Sequence, residues 1–252
     1  MLLTRETPEP QPMALNLKSR WKALGRWPRR GLKLAAAIVV APFILTFVYA
    51  FVPPPVSNLM LFRALHGNGI DKDWVSLDQI SPYLAQSVLS SEDARFCSHW
   101  GVDWTELQGV IDDVMDDDEG PVRGASTVSM QTAKNLFLWD GRSFVRKVLE
   151  IPVALWMDLI WSKRRMLEVY LNIVEWAPGV YGAEAASQFH FKKPASKLTR
   201  NEAALLAAVL PNPIKRKAGK PSKGVRRIAK RIELRARIMG PYLTCLRLKG
   251  SL

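Results

Sequence analysis

The amino-acid sequence predicts a mainly α-helical domain preceded by a single transmembrane helix. Three observations point there. Residues 34–52 contain no charged side chain. From Ser76 to Pro213, polar cap residues repeatedly introduce apolar runs with helical spacing. Strand signals are sparse, and no period of 20–50 residues recurs.

Taken in order, residues 1–33 make a basic tail. Its first 17 positions are Pro-rich and polar without periodicity, a composition expected to stay disordered. Residues 34–52 would rise about 28 Å as a helix, close to the ~30 Å hydrocarbon thickness of a bilayer. Pro42 can kink such a helix, and Tyr49 and Phe51 suit a membrane interface. A cleaved signal peptide would have a shorter apolar region and a small-x-small site. Here Phe51-Val52-Pro53-Pro54-Pro55 follows, so a retained anchor is expected. Arg20, Lys22, Arg26, Arg29, Arg30 and Lys33 precede it, which by the positive-inside rule leaves the tail cytoplasmic and everything after Pro53 beyond the membrane.

Residues 53–75 are expected to be a linker and membrane-proximal segment, stiffened by Pro53 to Pro55. The main domain then covers 76–213. Ser76 and Gln79 match a capping box for a helix through about Leu89. Asp103 to about Met115 reads as the next helix, broken by Asp116 to Glu119 and Gly120-Pro121. Thr127 to Phe137 is helical, and Trp139-Asp140-Gly141 turns. Ser143 to about Val174 is the longest helical stretch, with a break near Ser162; Pro152 inside it fits either a kink or a first-turn position. Trp176 to Gly179 ends it, and a helix resumes from Tyr181 to about Phe189. Thr199 with Glu202 caps the apolar helix Ala203 to Leu210. Residues 214–252 form a basic C-terminal segment.

The net charge of +13 belongs to the two ends. Residues 1–33 hold eight Lys/Arg against two acids, and 214–252 hold thirteen against one, so the middle is mildly acidic. Basic ends suit anionic lipid headgroups. Nucleic-acid binding would interleave aromatics with the basic residues, and 214–252 offers only Tyr242. Cys97 and Cys245 are expected to be two small apolar fillers. The alternative, a disulfide in an oxidising compartment, needs alpha carbons within reach, which sequence does not show. Three histidines (His66, His99, His190) and two cysteines offer no zinc-ligand spacing.

Candidate chemistry starts at Ser91 to Gly101, which follows an apolar-periodic run. Glu92, between Val88-Leu89 and Phe96, could hold its proton tightly enough to act as a general base near neutral pH; a helix-end ion pair with Arg95 is the alternative. Gln131 shares a helix face with Lys134 and Asn135, behind the cap candidates Ser126 and Thr127. A cationic face at a helix start suits a pyrophosphate. Arg142, Arg146 and Lys147 make a basic face, and Glu150 stands at ion-pairing distance along the helix from Arg146 and Lys147. The acids from Asp112 to Glu119 read as a mobile solvated loop.

Glu92-Asp93-x-x-Phe96-x-x-His99-x-Gly101, Gly124 to Asn135, Arg146 to Glu150, Glu168 to Asn172 and Gly179 to Ala186 recur here in a particular order and spacing. That pattern resembles the peptidoglycan glycosyltransferases, glycosyltransferase family 51, from about Ser76 to Pro213. The resemblance implies a lysozyme-like, two-lobed helical domain in its monofunctional, membrane-anchored form. It implies polymerisation of lipid II into glycan strands, with inversion and release of undecaprenyl pyrophosphate. Glu92 would be the general base. Lys134 and Arg142 would stabilise the leaving pyrophosphate, supported by Arg146 and Lys147, with Ser126, Gln131 and Asn135 in the same binding region. Glu150 would position these cations or help bind Mg²⁺ or Mn²⁺. Asp93, Phe96, His99, Gly101 and Thr127 would support the site. Expected partners are lipid II, the lipid-linked strand, the membrane and other cell-wall synthesis or division proteins, with no nucleic acid and no organic cofactor. The expected location is the bacterial inner membrane, with the catalytic domain periplasmic. Ala125 and Ala177 replace glycines, and Met130 a glutamine, that the family commonly has. The rivals are a lysozyme-like glycan-cleaving enzyme and a non-catalytic membrane-tethered scaffold.

Overall fold

A computed structural model describes residues 25–109, 126–141 and 143–248. The disorder expected for residues 1–17, the acidic loop 112–119 and Arg142 therefore lie outside the described residues. The chain divides into two compact units, Met1–Ala41 and Pro42–Leu252. Helix α1, Arg26–Tyr49, has Pro42 in its interior and a mean hydropathy of 2.2 over its best 18 residues. Its 24 residues rise about 36 Å, long and apolar enough to cross a membrane.

In the second unit, Lys72 Nζ donates to Pro55 O (3.0 Å) and pins the proline connector. The segment expected as a linker contains helix α2, Asn58–Leu65, which starts at Ser57, whose hydroxyl accepts from Met60 N. Met60 is fully buried. The Ser76/Gln79 capping box is present, yet it heads only the 3-10 turn Leu77–Gln79. Pro82 is the reason, because a residue before proline is driven out of the helical region. The chain is extended at Ile80, and helix α3, Pro82–Glu92, begins afresh with proline at its start.

Residues 104–109 are helical. Helix α4, Val128–Phe137, is capped by Thr127; α5, Phe144–Ile160, by Ser143; and α6, Lys163–Ile173, by Ser162. The long helical stretch thus breaks where Trp161 turns extended. Pro152 sits inside α5. The segment read as a plain break forms a small sheet instead: β2, Glu175–Ala177, runs antiparallel to β3, Val180–Tyr181, which pairs parallel with β1, Asp71–Lys72. Helices α7, Ala183–Phe191, and α8, Arg200–Val209, follow, the latter with its Thr199/Glu202 capping box.

The basic C-terminal segment also folds. Helix α9, Lys223–Arg237, buries Val225, Ala229, Ile232 and Ala236 and packs on α8 and α3. The packed core therefore continues beyond residue 213, where the domain boundary was expected. Cys97 and Cys245, expected as separate apolar fillers, form a disulfide with alpha carbons 5.7 Å apart. The correction has a structural cause. Arg164 Nη1 donates to Leu246 O (3.0 Å), holding the turn Thr244–Leu246 against α6 and bringing Cys245 to the loop after α3.

The core between α3, α4, α6 and α8 holds Leu84, Leu89, Met130, Leu167, Tyr170 and Leu206, all essentially without solvent contact. Burial on this scale stabilises by about 25 cal/mol per Å² of apolar surface.

Candidate active site

Helix α3 ends at Glu92, so its last carboxylate faces the loop that follows. Asp93 is the C-cap, its N–H bonded to Leu89 O (2.9 Å). The loop is fixed by Phe96, which is fully buried. Asp93 ties it to its neighbours: Oδ1 meets His99 Nε2 at 2.9 Å, and Oδ2 accepts from Val128 N at 2.9 Å. A carboxylate at the start of α4 meets the positive end of the helix dipole there. Thr127, the cap of α4, donates its hydroxyl to Gly101 O. Gly101 has φ +65°, and a Cβ there would lie 2.7 Å from Ala154 O of α5. Only glycine fits. Lys163 Nζ closes the loop from α6 by donating to His99 O (2.6 Å). Asp93, His99, Phe96, Gly101 and Thr127 thus shape the loop, and all five are buried.

Glu92 is half-buried, and its Oε2 accepts from Gln131 Nε2 at 3.0 Å. Gln131 Oε1 accepts from the fully buried Tyr170 hydroxyl at 2.9 Å. Tyr170 orients the amide, and the amide orients the carboxylate. Burial pushes the Glu92 carboxyl above the usual carboxylate range, while the Gln131 hydrogen bond and the Lys134 charge act against that rise.

Lys134 follows Gln131 by one turn of α4. Burial and then the neighbouring Arg146 charge lower its pKa, and Glu150, Asp140 and Glu92 act against that. Arg146 pairs with Glu150 along α5. Glu150 is buried, which raises its pKa; the charges of Arg146, Lys134 and Lys147 oppose the rise. Lys134 thus senses both carboxylates, with Arg146 and Lys147 beside Glu150. Asn135 is buried in the body of the unit and does not line the Glu92 cavities, whereas Ser126 does. Met130, which replaces the common glutamine, is fully buried and is a core residue.

Two cavities of about 260 and 230 Å³ meet at Ser91, Glu92 and Arg235. The first is walled by Asp103, Glu106 and Ser126, the second by Arg216 and Arg231. The arginines of this wall were not among the expected site residues. Their signal was present in the spacing of Val225, Ala229, Ile232 and Ala236, an apolar stripe that marks a packed helix within the basic run.

A half-buried carboxylate on a hydrogen-bonded amide, with lysine and arginine on either side, can take a proton from a hydroxyl and hold an anion. The Transglycosylase family model matches residues 60–239. The chain belongs to the transglycosylase family. It is 56% identical over 212 residues to the biosynthetic peptidoglycan transglycosylase of Rhizobium etli, covering 83% of this chain and 90% of the relative. It is 53% identical over 220 residues to that of Agrobacterium fabrum, covering 86% and 96%. For the Brucella suis protein of the same name it is 49% over 218 residues, again covering 86% and 96%. A transglycosylase domain is helical and lysozyme-like, and here α3, α4, α6 and α8 build its body.

Among the described residues no group of three or more His, Cys, Asp or Glu side chains converges as metal ligands. Glu150, the residue expected to help hold a divalent ion, is a single carboxylate already paired with Arg146 in a basic surround. On its own it does not supply the several oxygen ligands of a hard cation; phosphate oxygens of a substrate would have to supply the rest.

Proposed function

We propose that this protein is a membrane-anchored peptidoglycan glycosyltransferase that polymerises lipid II into glycan strands. The observation that carries the reading is Glu92, held by Gln131 at the meeting of two cavities and flanked by Lys134 and Arg216. Glu92 takes the proton from the 4-hydroxyl of the acceptor sugar. That oxygen forms a bond to the anomeric carbon of the donor, from the face opposite the departing group. The bond from that carbon to the pyrophosphate oxygen breaks, so the configuration inverts and undecaprenyl pyrophosphate leaves with both electrons of that bond. Lys134, Arg146 and Lys147 meet the charge on the departing oxygens, and Glu150 keeps Arg146 in place. Arg142, next to this group in sequence, is assigned the same task.

Helix α1 is read as the anchor, with the domain on the extracytoplasmic side. The Cys97–Cys245 disulfide supports that side, because such bonds persist in oxidising compartments. Trp156 Nε1 donates to Phe43 O (3.1 Å) and Trp161 Nε1 to Thr46 O (2.8 Å), holding α5 against the last turns of α1. On its outer side α5 exposes Phe144, Val145, Val148 and Leu159, an apolar row suited to the bilayer that delivers the lipid substrate. Partners among cell-wall synthesis and division proteins belong to the same reading.

The test is polymerisation of labelled lipid II by purified protein, wild type beside Glu92→Gln. Polymer from the wild type, with a loss of about 10²–10⁴-fold in the variant, is expected. Release of fragments from mature cell wall without polymer would move the assignment to a glycan-cleaving enzyme.

A further inference from the structure

A third cavity, of about 680 Å³, lies between the end of α7 and the loop 213–220. Lys192, Arg216, Lys217 and Lys220 surround an apolar wall made by Phe189 and Ile214. No carboxylate lines it, and among the described residues Lys192, Lys217 and Lys220 make no ion pair. Three exposed lysines and an arginine on the wall of one cavity, with no carboxylate among its lining residues, make it a positive site that favours an anionic ligand.

The loop that carries Arg216, Lys217 and Lys220 is tied to its neighbours by hydrogen bonds. Arg216 N donates to Asn212 O (3.0 Å), and its Nη1 donates to Ala208 O at the end of α8 (2.8 Å). Gly219 N donates to His190 Nδ1 (3.3 Å), and a Cβ on Gly219 would stand 2.7 Å from His190 O. The volume lies within the usual range for ligand sites, roughly 300–1,000 Å³. Arg216 also lines the cavity that contains Glu92, so one residue forms part of both walls.

We propose that this cavity binds the carboxylate-bearing peptide stem of the glycan whose sugar lies at Glu92. The proposal rests on the glycosyltransferase reading and adds to it a second contact for the same substrate. A peptide stem offers carboxylates for the lysines and small aliphatic side chains for Phe189 and Ile214. The shared Arg216 spans the short distance between a sugar in the cleft and the peptide it carries. A lipid headgroup is the weaker occupant, because the apolar row suited to a bilayer belongs to a different element, α5.

The experiment uses the full-length protein in detergent and a fluorescent, lipid-free disaccharide-pentapeptide. Wild type is compared with Lys217→Glu/Lys220→Glu and, on a different element, with Lys192→Glu. At least tenfold weaker binding is expected for the double variant, with a smaller loss for Lys192→Glu, at unchanged helical content. The same fragment with its carboxylates amidated should bind wild type at least tenfold more weakly. Equal binding by wild type and variants, or no binding to wild type, overturns the proposal. So does loss of binding to phosphatidylglycerol vesicles with fragment binding intact, which gives the cavity to lipid. Lipid II polymerisation by wild type is measured in parallel. Lysine-dependent fragment binding without any polymer would sink the glycosyltransferase reading while leaving a glycopeptide site in place.

Discussion

Glu92 carries its charge where water reaches poorly, and this sets its pH behaviour. As a base it must be ionised, so the acid limb of the polymerisation rate is expected above the ordinary carboxylate pKa. Gln131→Ala removes the hydrogen bond that opposes the rise, and the limb should move to higher pH; a limb that stays in place would separate Gln131 from Glu92. Stability has the same origin. The folded pKa lies above the unfolded one, so the associated stability is complete below the unfolded pKa and is lost as pH rises through the folded value. Glu92→Gln should therefore be inactive yet melt no lower than wild type at neutral pH, as read by thermal unfolding. Gly101 behaves in the opposite way. Alanine there meets both a φ of +65° and Ala154 O, and Gly101→Ala should cost about 1–3 kcal/mol in chemical denaturation.

Helix α5 has two faces with different tasks. Its inner side brings Arg146 and Glu150 to Lys134, and its outer side exposes Phe144 and Val148. Phe144→Asp/Val148→Asp is expected to lower lipid II polymerisation several-fold in vesicles and to leave it near wild type in detergent. Equal loss in both media would count against a membrane role for this face. Elements of this length were legible in the sequence, because caps such as Thr127 and Thr199 and the break at Trp161-Ser162 announce themselves locally. The sheet was not, since strands of two and three residues are too short to show a period of two. Helix α9 was hidden by charge: its seven basic residues drew attention to its surface, and four buried apolar ones decide where it packs. Likeness to a family placed Gln131 in the binding region, but its hydrogen bond to Glu92 was not foreseen. Its tie to Tyr170, 39 residues away, depends on how α4 meets α6 and has no local signature.

Across the second unit, the loop after α3 is held from all sides: from α4 by Val128, from α5 by the space at Gly101, and from α6 by Lys163. The disulfide adds a link to a residue 148 positions away. Reducing it, or replacing Cys245 by serine, is expected to remove about 2–5 kcal/mol of stability, seen as a lower denaturation midpoint. An unchanged midpoint would mean that packing around the turn Thr244–Leu246 already does this work. The bond has another consequence. Cys97 lies in the early part of the unit and Cys245 near its other end, so the pair can join only after almost all of the unit has been synthesised. It also joins only where thiols are oxidised. Resistance of both cysteines to alkylation in intact cells would therefore act as a natural reporter, recording that the domain has been exported and then folded.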